Sequence, residues 1–130
     1  MDTTNEFSFI LKSSEHGIGV FAVHEIKKGT SLRLFGDEKR LENRVIVRSK
    51  KDVPELFREY CMDRGDSLLC PPDFGHMQLG WHLNHSKTPN ATHRDYHWYA
   101  ARDIRAGEEI TIDYNSLEEP ENAKEGYYNQ

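Results

Sequence analysis

Hydrophobic positions along this chain fall mostly in short runs at period two. In EFSFILK, Phe7, Phe9 and Leu11 recur at every second residue; IGVFAV and TSLRLF are β-rich runs beside glycines; RVIVRS carries Val45 and Val47 two apart. HWYAARDI and EEITIDY repeat the theme further on. Alternation of this kind is the signature of half-buried strands, so the pattern predicts a mainly β protein. One segment breaks from it. In DVPELFREYCM, Val53, Leu56, Phe57 and Tyr60 recur at i, i+3, i+4 and i+7, with Asp52 placed as an N-cap and Pro54 in the first turn, which predicts one short helix. CPPDFGHMQLGW then has no period, as its Pro-Pro pair and two glycines require.

Length and composition narrow this picture. A chain of 130 residues suits a single domain with one core. The expected division is one domain over 1–130, its core at about 7–115, with a polar, acidic tail over 116–130. At 36% apolar and 30% charged residues the core should be small, yet the 11% aromatic content argues against a disordered chain. The formal net charge of −5 disfavours a nucleic-acid backbone as partner and suits a basic peptide instead. Cys61 and Cys70 have no CxxC spacing, and the N-terminus lacks a basic start followed by an apolar run. The expectation is a soluble intracellular protein, cytoplasmic or nuclear, with free thiols and no membrane association.

Candidate chemistry concentrates in GWHLNHSKTPNATHRD, residues 80–95. His82, His85 and His93, with Cys70 or Asp95, make a four-ligand zinc set on paper. Pro89-Asn90 argues for a bent loop rather than the helix that would align the first two histidines. A nucleophilic pair of Cys61 or Cys70 with one of these histidines lacks any local signature. The plainest alternative is structural: Asn84, Ser86 and Asn90 satisfy turn backbone groups, and His85 is a buried imidazole.

The order of four motifs favours a different reading. HGIGVFA at 16–22, LFGD at 34–37, NHSKTPNA at 84–91 and GEEITIDY at 107–114 together resemble the SET-domain protein-lysine methyltransferases, over roughly residues 7–115. The resemblance implies a fold of short curved sheets with a knot-like C-terminal threading that brings NHS and ITIDY together. It implies S-adenosylmethionine as cofactor and a lysine in a basic protein tail, such as a histone, as substrate. It assigns His16, Gly17, Ile18, Gly19, Asn84 and His85 to the cofactor, Tyr114 to catalysis, and Leu34, Tyr60 and Ile112 to the lysine channel.

These assignments make chemical sense. Methyl transfer from a sulfonium to an amine asks the protein chiefly to position two ligands and exclude water. Glycines at 17 and 19 allow close backbone approach to a ligand. A phenol with an ordinary pKa near ~10 stays neutral at pH 7, so Tyr114 can orient an amine without a buried charge. Lysine, near ~10.4 in water, should be driven toward its neutral form by burial beside a cationic sulfur, so no side-chain base is required. Ile112 has no hydroxyl to anchor a water on the amine, so a channel lined by it should admit di- or trimethylation; otherwise it is a β-branched core residue.

Four departures from the family pattern matter. Lys87 stands where a cysteine usually follows Asn-His-Ser, and no cysteine-rich segment follows residue 115, so no structural zinc is expected. Leu34 replaces an aromatic, and Trp81-His82 replaces an Arg-Phe pair. The alternative function is therefore a non-catalytic SET-like module that binds a basic peptide.

Overall fold

The computed structural model describes residues 2–15, 17–35, 45–94 and 97–117; His16, Gly36, Asp37, Asp95 and the tail from 118 lie outside the described residues. Short strands dominate: β1 (Phe9–Ser14), β2 (Gly17–Ala22), β3 (Ile46–Ser49), β4 (Met62–Asp63), β5 (Ser67–Cys70), β6 (Asn84–His85), β7 (Ala91–Arg94), β8 (His97–Ala100) and β9 (Glu109–Ile112). Helical structure is limited to α1 (Glu55–Arg58) and 3-10 turns at Lys50–Asp52, Leu79–His82 and Tyr114–Leu117. Among the described residues no helix is long and apolar enough to cross a membrane.

The strands form three small sheets, ordered β1-β2-β9-β6, β3-β5-β4 and β7-β8. In the first, β9 runs antiparallel to β2, with Val20 opposite Ile110, and parallel to β6, with Asn84 opposite Thr111 and His85 opposite Ile112. The last strand thus lies between an early and a middle one, the crossing that the expected threading demands. Strict alternation in β9 puts Ile110 and Ile112 into the core, where they meet Val20, Leu34, Leu83 and Ile104. A separate small cluster joins Val53, Leu68 and Cys70 under the second sheet.

Three sequence expectations need correction. The helix is a single turn, Glu55–Arg58, with Pro54 at the N-cap rather than in the first turn and Asp52 in the preceding 3-10 turn. Its apolar stripe is not buried as a stripe: Val53 is 1% exposed but Leu56 is 84% exposed, because the chain turns at Pro54 and carries Leu56 outward. In β1 only Phe9 reaches the core, and Phe7 and Leu11 remain exposed, since β1 is an edge strand whose hairpin with β2 projects beyond the core. TSLRLF is not a strand, although Leu32 and Leu34 are buried two apart as its pattern suggested; Ser31 makes only isolated bridges, to Thr3 and Tyr99.

Asn90 ties β9 to the rest. This asparagine is 1% exposed. Its Nδ2 donates to the Glu109 carbonyl (2.7 Å) and the Glu108 carboxylate (3.0 Å), while its Oδ1 accepts from the Thr111 amide (2.8 Å). One side chain therefore satisfies backbone groups of β9 on both sides of Ile110. The Glu108 carboxyl is pushed up by burial, but hydrogen bonds from the Arg105 amide, Asn90 and Arg102 outweigh that and hold it below the usual range. Asn90→Ala should cost about 2 kcal/mol or more, because each buried backbone group left unpaired costs about 1–3 kcal/mol. Urea denaturation at neutral pH measures this; a loss within error of zero would show that Asn90 does not fasten β9.

Candidate active site

The parallel pairing of β6 with β9 places a cleft of about 470 Å³ where the β1–β2 hairpin, the Leu79–His82 turn and the start of the last turn converge. That size lies within the roughly 300–1,000 Å³ typical of small-molecule sites. Gly17, Ile18, Tyr60, Asn84, His85 and Tyr114 line it together, although they come from four separated segments. Glu59, Trp81, His82 and Lys87 complete much of the wall.

Tyr114 is held at both ends. Its hydroxyl donates to the Leu83 carbonyl (2.6 Å) and its amide donates to His85 Nδ1 (3.0 Å). The His85 and Tyr114 rings lie 5.2 Å apart at 47°. That amide contact makes Nδ1 an acceptor, so a neutral His85 carries its proton on Nε2. Asp113 is 3.8 Å from the same nitrogen. The imidazole thus serves the backbone at the turn where β9 ends.

Asn84 acts as a brace. Its Nδ2 donates to the Glu109 carboxylate (2.7 Å), the Ile18 carbonyl (3.2 Å) and Ser14 Oγ (3.2 Å). The amide nitrogen is thus engaged within the protein, leaving Oδ1 as the atom of that amide suited to a ligand donor. Glu109, unmarked by sequence reasoning, anchors this arrangement; its only signal was the doubled acid in GEEITIDY. The two glycines differ in purpose. Gly17 adopts φ +104°, a backbone region that favours glycine, and faces open space. At Gly19 an added Cβ would collide with the Glu109 carboxylate and approach the Asn84 amide. Gly17 and Ile18 therefore face the cleft with open backbone, whereas Gly19 does not line it and instead makes room for Glu109 and Asn84.

The remaining sequence candidates are distributed as follows. Leu34 (1% exposed) and Ile112 (4% exposed) belong to the core on which Tyr114 packs, not to the wall of the cleft. His16 lies outside the described residues. The histidines considered for zinc are dispersed: His82 meets Tyr60, His85 meets Tyr114, and His93 meets Trp98 and the Ser116 carbonyl. Among the described residues no group of three or more His, Cys, Asp or Glu is placed to hold a metal ion.

The sequence matches the SET domain family over residues 17–115. No curated protein matches it. Among solved structures it is similar to a Plasmodium falciparum protein provisionally named a histone methyltransferase, with 20% identity and a TM-score of 0.51, covering 83% of this chain and 93% of that one. At that identity the likeness bears on the fold.

His82 gives the wall a pH response. Its ring meets Tyr60 edge-on (5.6 Å, 72°), and Nδ1 is buried with no hydrogen-bond partner among the described residues. An imidazolium carries N–H on both nitrogens, so protonation would bury an unpaired donor. Burial accordingly lowers the His82 pKa. The sign follows: above pH ~6.5 the ring is neutral folded or unfolded, whereas below it the unfolded chain gains the proton first, so stability falls as pH drops toward the lower folded value. His82→Phe should remove this component, so the stability of the variant should fall less steeply from pH 7 to 5 than that of the wild type in parallel denaturant titrations. Parallel curves would remove His82 from the account.

Proposed function

The chain belongs to the SET-domain family, and from that premise we propose that it is an S-adenosylmethionine-dependent protein-lysine N-methyltransferase. The observation that carries the reading is the meeting of Tyr114, Asn84, His85 and the Gly17–Ile18 backbone on one cleft. When bound, S-adenosylmethionine supplies a methyl group on a cationic sulfur. Gly17 and Ile18 would approach its amino-acid end, with Asn84 holding that strand end through Ile18 and Glu109. His16 and Gly19 are proposed to belong to the same cofactor loop.

Tyr114 is the proposed catalytic residue. Its proton is committed to the Leu83 carbonyl, so the phenol oxygen offers acceptor lone pairs with which to orient the N–H of an incoming amine. Tyr60, Trp81 and Tyr114 give part of the wall aromatic surface, which would help to desolvate a bound lysine and disfavour its ammonium form. A substrate lysine in a basic tail, such as that of a histone, agrees with the net charge of −5. The burial of Leu34 and Ile112 in the core favours the second reading, a SET-like module that binds a basic peptide without methylating it.

Two variants and two readouts separate these readings. Asn84→Ala removes the brace to Ile18 and Glu109 together with the Oδ1 proposed to accept from the cofactor's ammonium, a charge-assisted bond worth about 1.5–3 kcal/mol, and should weaken S-adenosylmethionine binding about ten- to a hundredfold by calorimetry. Unchanged affinity in the folded variant would overturn the assignment. Tyr114→Phe keeps the ring and loses the bond to Leu83, so it should bind cofactor nearly as wild type but methylate a histone mixture far more slowly. Wild-type turnover in that variant would make Tyr114 structural, and a wild-type chain that binds peptide but transfers no methyl group would favour the module.

A further inference from the structure

Cys61 and Cys70 are both free, and their sulfur atoms lie 3.4 Å apart. The contact is built by the sheet. Met62 pairs with Leu69 and Asp63 with Leu68, so Cys61, one residue before β4, continues the same register opposite Cys70 at the end of β5. Residues directly opposite across antiparallel strands have Cβ atoms about 4.5–5.5 Å apart, and a disulfide needs about 3.5–4.5 Å. A closure of roughly 1 Å is therefore enough, at a point where β4 is only two residues long.

The thiols are also oriented in sequence. Cys61 Sγ is within donor reach of both Cys70 Sγ (3.4 Å) and the Phe57 carbonyl (3.5 Å), and Cys70 Sγ donates toward the Leu68 carbonyl at 3.6 Å. Cys70 is 0% exposed and packs with Val53 and Leu68, whereas Cys61 is half-buried and reachable from solvent. One sulfur can meet a reagent while the other waits behind it. Cys61 directly follows Glu59 and Tyr60 on the wall of the cleft.

We propose that Cys61 and Cys70 are a dithiol site that forms a reversible intramolecular disulfide with low-molecular-weight disulfides, fastening the Tyr60 side of the cleft to β5. The exchange balances. The Cys61 thiolate attacks glutathione disulfide, forming a mixed disulfide and releasing one glutathione; Cys70, giving up its proton, then displaces the second. Two thiols are oxidised, and one disulfide is reduced to two glutathiones.

The same burial that builds the pair slows it. Desolvation first, then the hydrogen bond and charge of Cys70, raises the Cys61 pKa well above that of an ordinary thiol. Little thiolate is present at pH 7, so closure should be slow there and should accelerate as pH rises. The site is consequently one that equilibrates with its surroundings rather than one that responds quickly to peroxide.

The test uses the whole chain in glutathione redox buffers at pH 8, quenched with acid and read by mass spectrometry. The expected product is a monomer lighter by two hydrogens, with both thiols lost, a Cys61–Cys70 cross-linked peptide, full reversal by dithiothreitol, and no such product from Cys61→Ser. Its equilibrium constant against glutathione should be at least about tenfold larger in the folded protein than in urea, because the sheet holds the sulfurs together. Free thiols in fully oxidised glutathione, glutathione adducts or dimers in place of the cross-link, or equal constants in the folded and unfolded chain would each overturn the proposal.

Discussion

The site depends on holding β9 between two strands that approach it from distant parts of the sequence. A strand of four residues makes few ladder hydrogen bonds, and its neighbours β2 and β6 lie far back along the chain. Backbone pairing alone would leave such an insertion weakly determined. Two asparagine side chains make up the difference. Asn90 binds the backbone of β9 at Glu109 and Thr111, and Asn84 reaches from β6 across to Glu109 and Ile18. Each amide does in one side chain what a longer strand would do with extra residues. A buried amide such as that of Asn90 is costly unless satisfied, so it also discriminates against alternative registers, in which its partners would be missing.

From this insertion the geometry around Tyr114 follows without further devices. Tyr114 comes two residues after the end of β9, and the Ser86 amide bonds to the Ile112 carbonyl at 2.8 Å, so the two chain segments leave their pairing together. The hydroxyl bond to Leu83 and the amide bond to His85 then fix the phenol relative to the Asn-His turn. Both partners belong to the segment that positions Asn84. The groups proposed to face donor and acceptor are thereby set by one small network, which is the preorganisation that a positioning reaction requires. Rigid placement matters more here than acid–base chemistry, because the transfer of a methyl group to a neutral amine needs no proton abstracted by a side chain.

Much of this was legible in the sequence, and the exceptions have physical causes. Alternation found β2, β8 and β9, because each has one face on the core. It overstated β1, since periodicity reports which residues would share a face and not whether anything covers that face. The helical pattern at 53–60 was only partly a buried face: Val53 lies in the small second core and Phe57 packs on Phe74 at its edge (5.1 Å), while Leu56 is exposed. Helical spacing alone does not say how many of the residues on a face are covered. At the cleft, Gly17, Ile18, Asn84, His85 and Tyr114 stood out in the sequence as parts of motifs, and the fold brings them to one wall. Glu109 was missed because its importance lies in the space beside Gly19, and Leu34 and Ile112 could not be placed from sequence because a channel wall and a core are equally apolar.

The Trp81-His82 pair, a departure from the family pattern, changes the electrostatics of the cleft. It takes the fixed positive charge of the family's arginine away from this part of the wall, which Glu59 and Lys87 also line. Trp81 is uncharged at every pH, and it is anchored edge-on to Phe35, whose ring also fills the space beside Gly80. His82 is kept neutral by burial. Together with Tyr60, which meets His82 edge-on, the pair presents aromatic surface to the cleft. Glu59 and Lys87 bring charge to the same cleft, so an uncharged aromatic stretch beside them is the part of the wall that would desolvate a lysine and favour its neutral form.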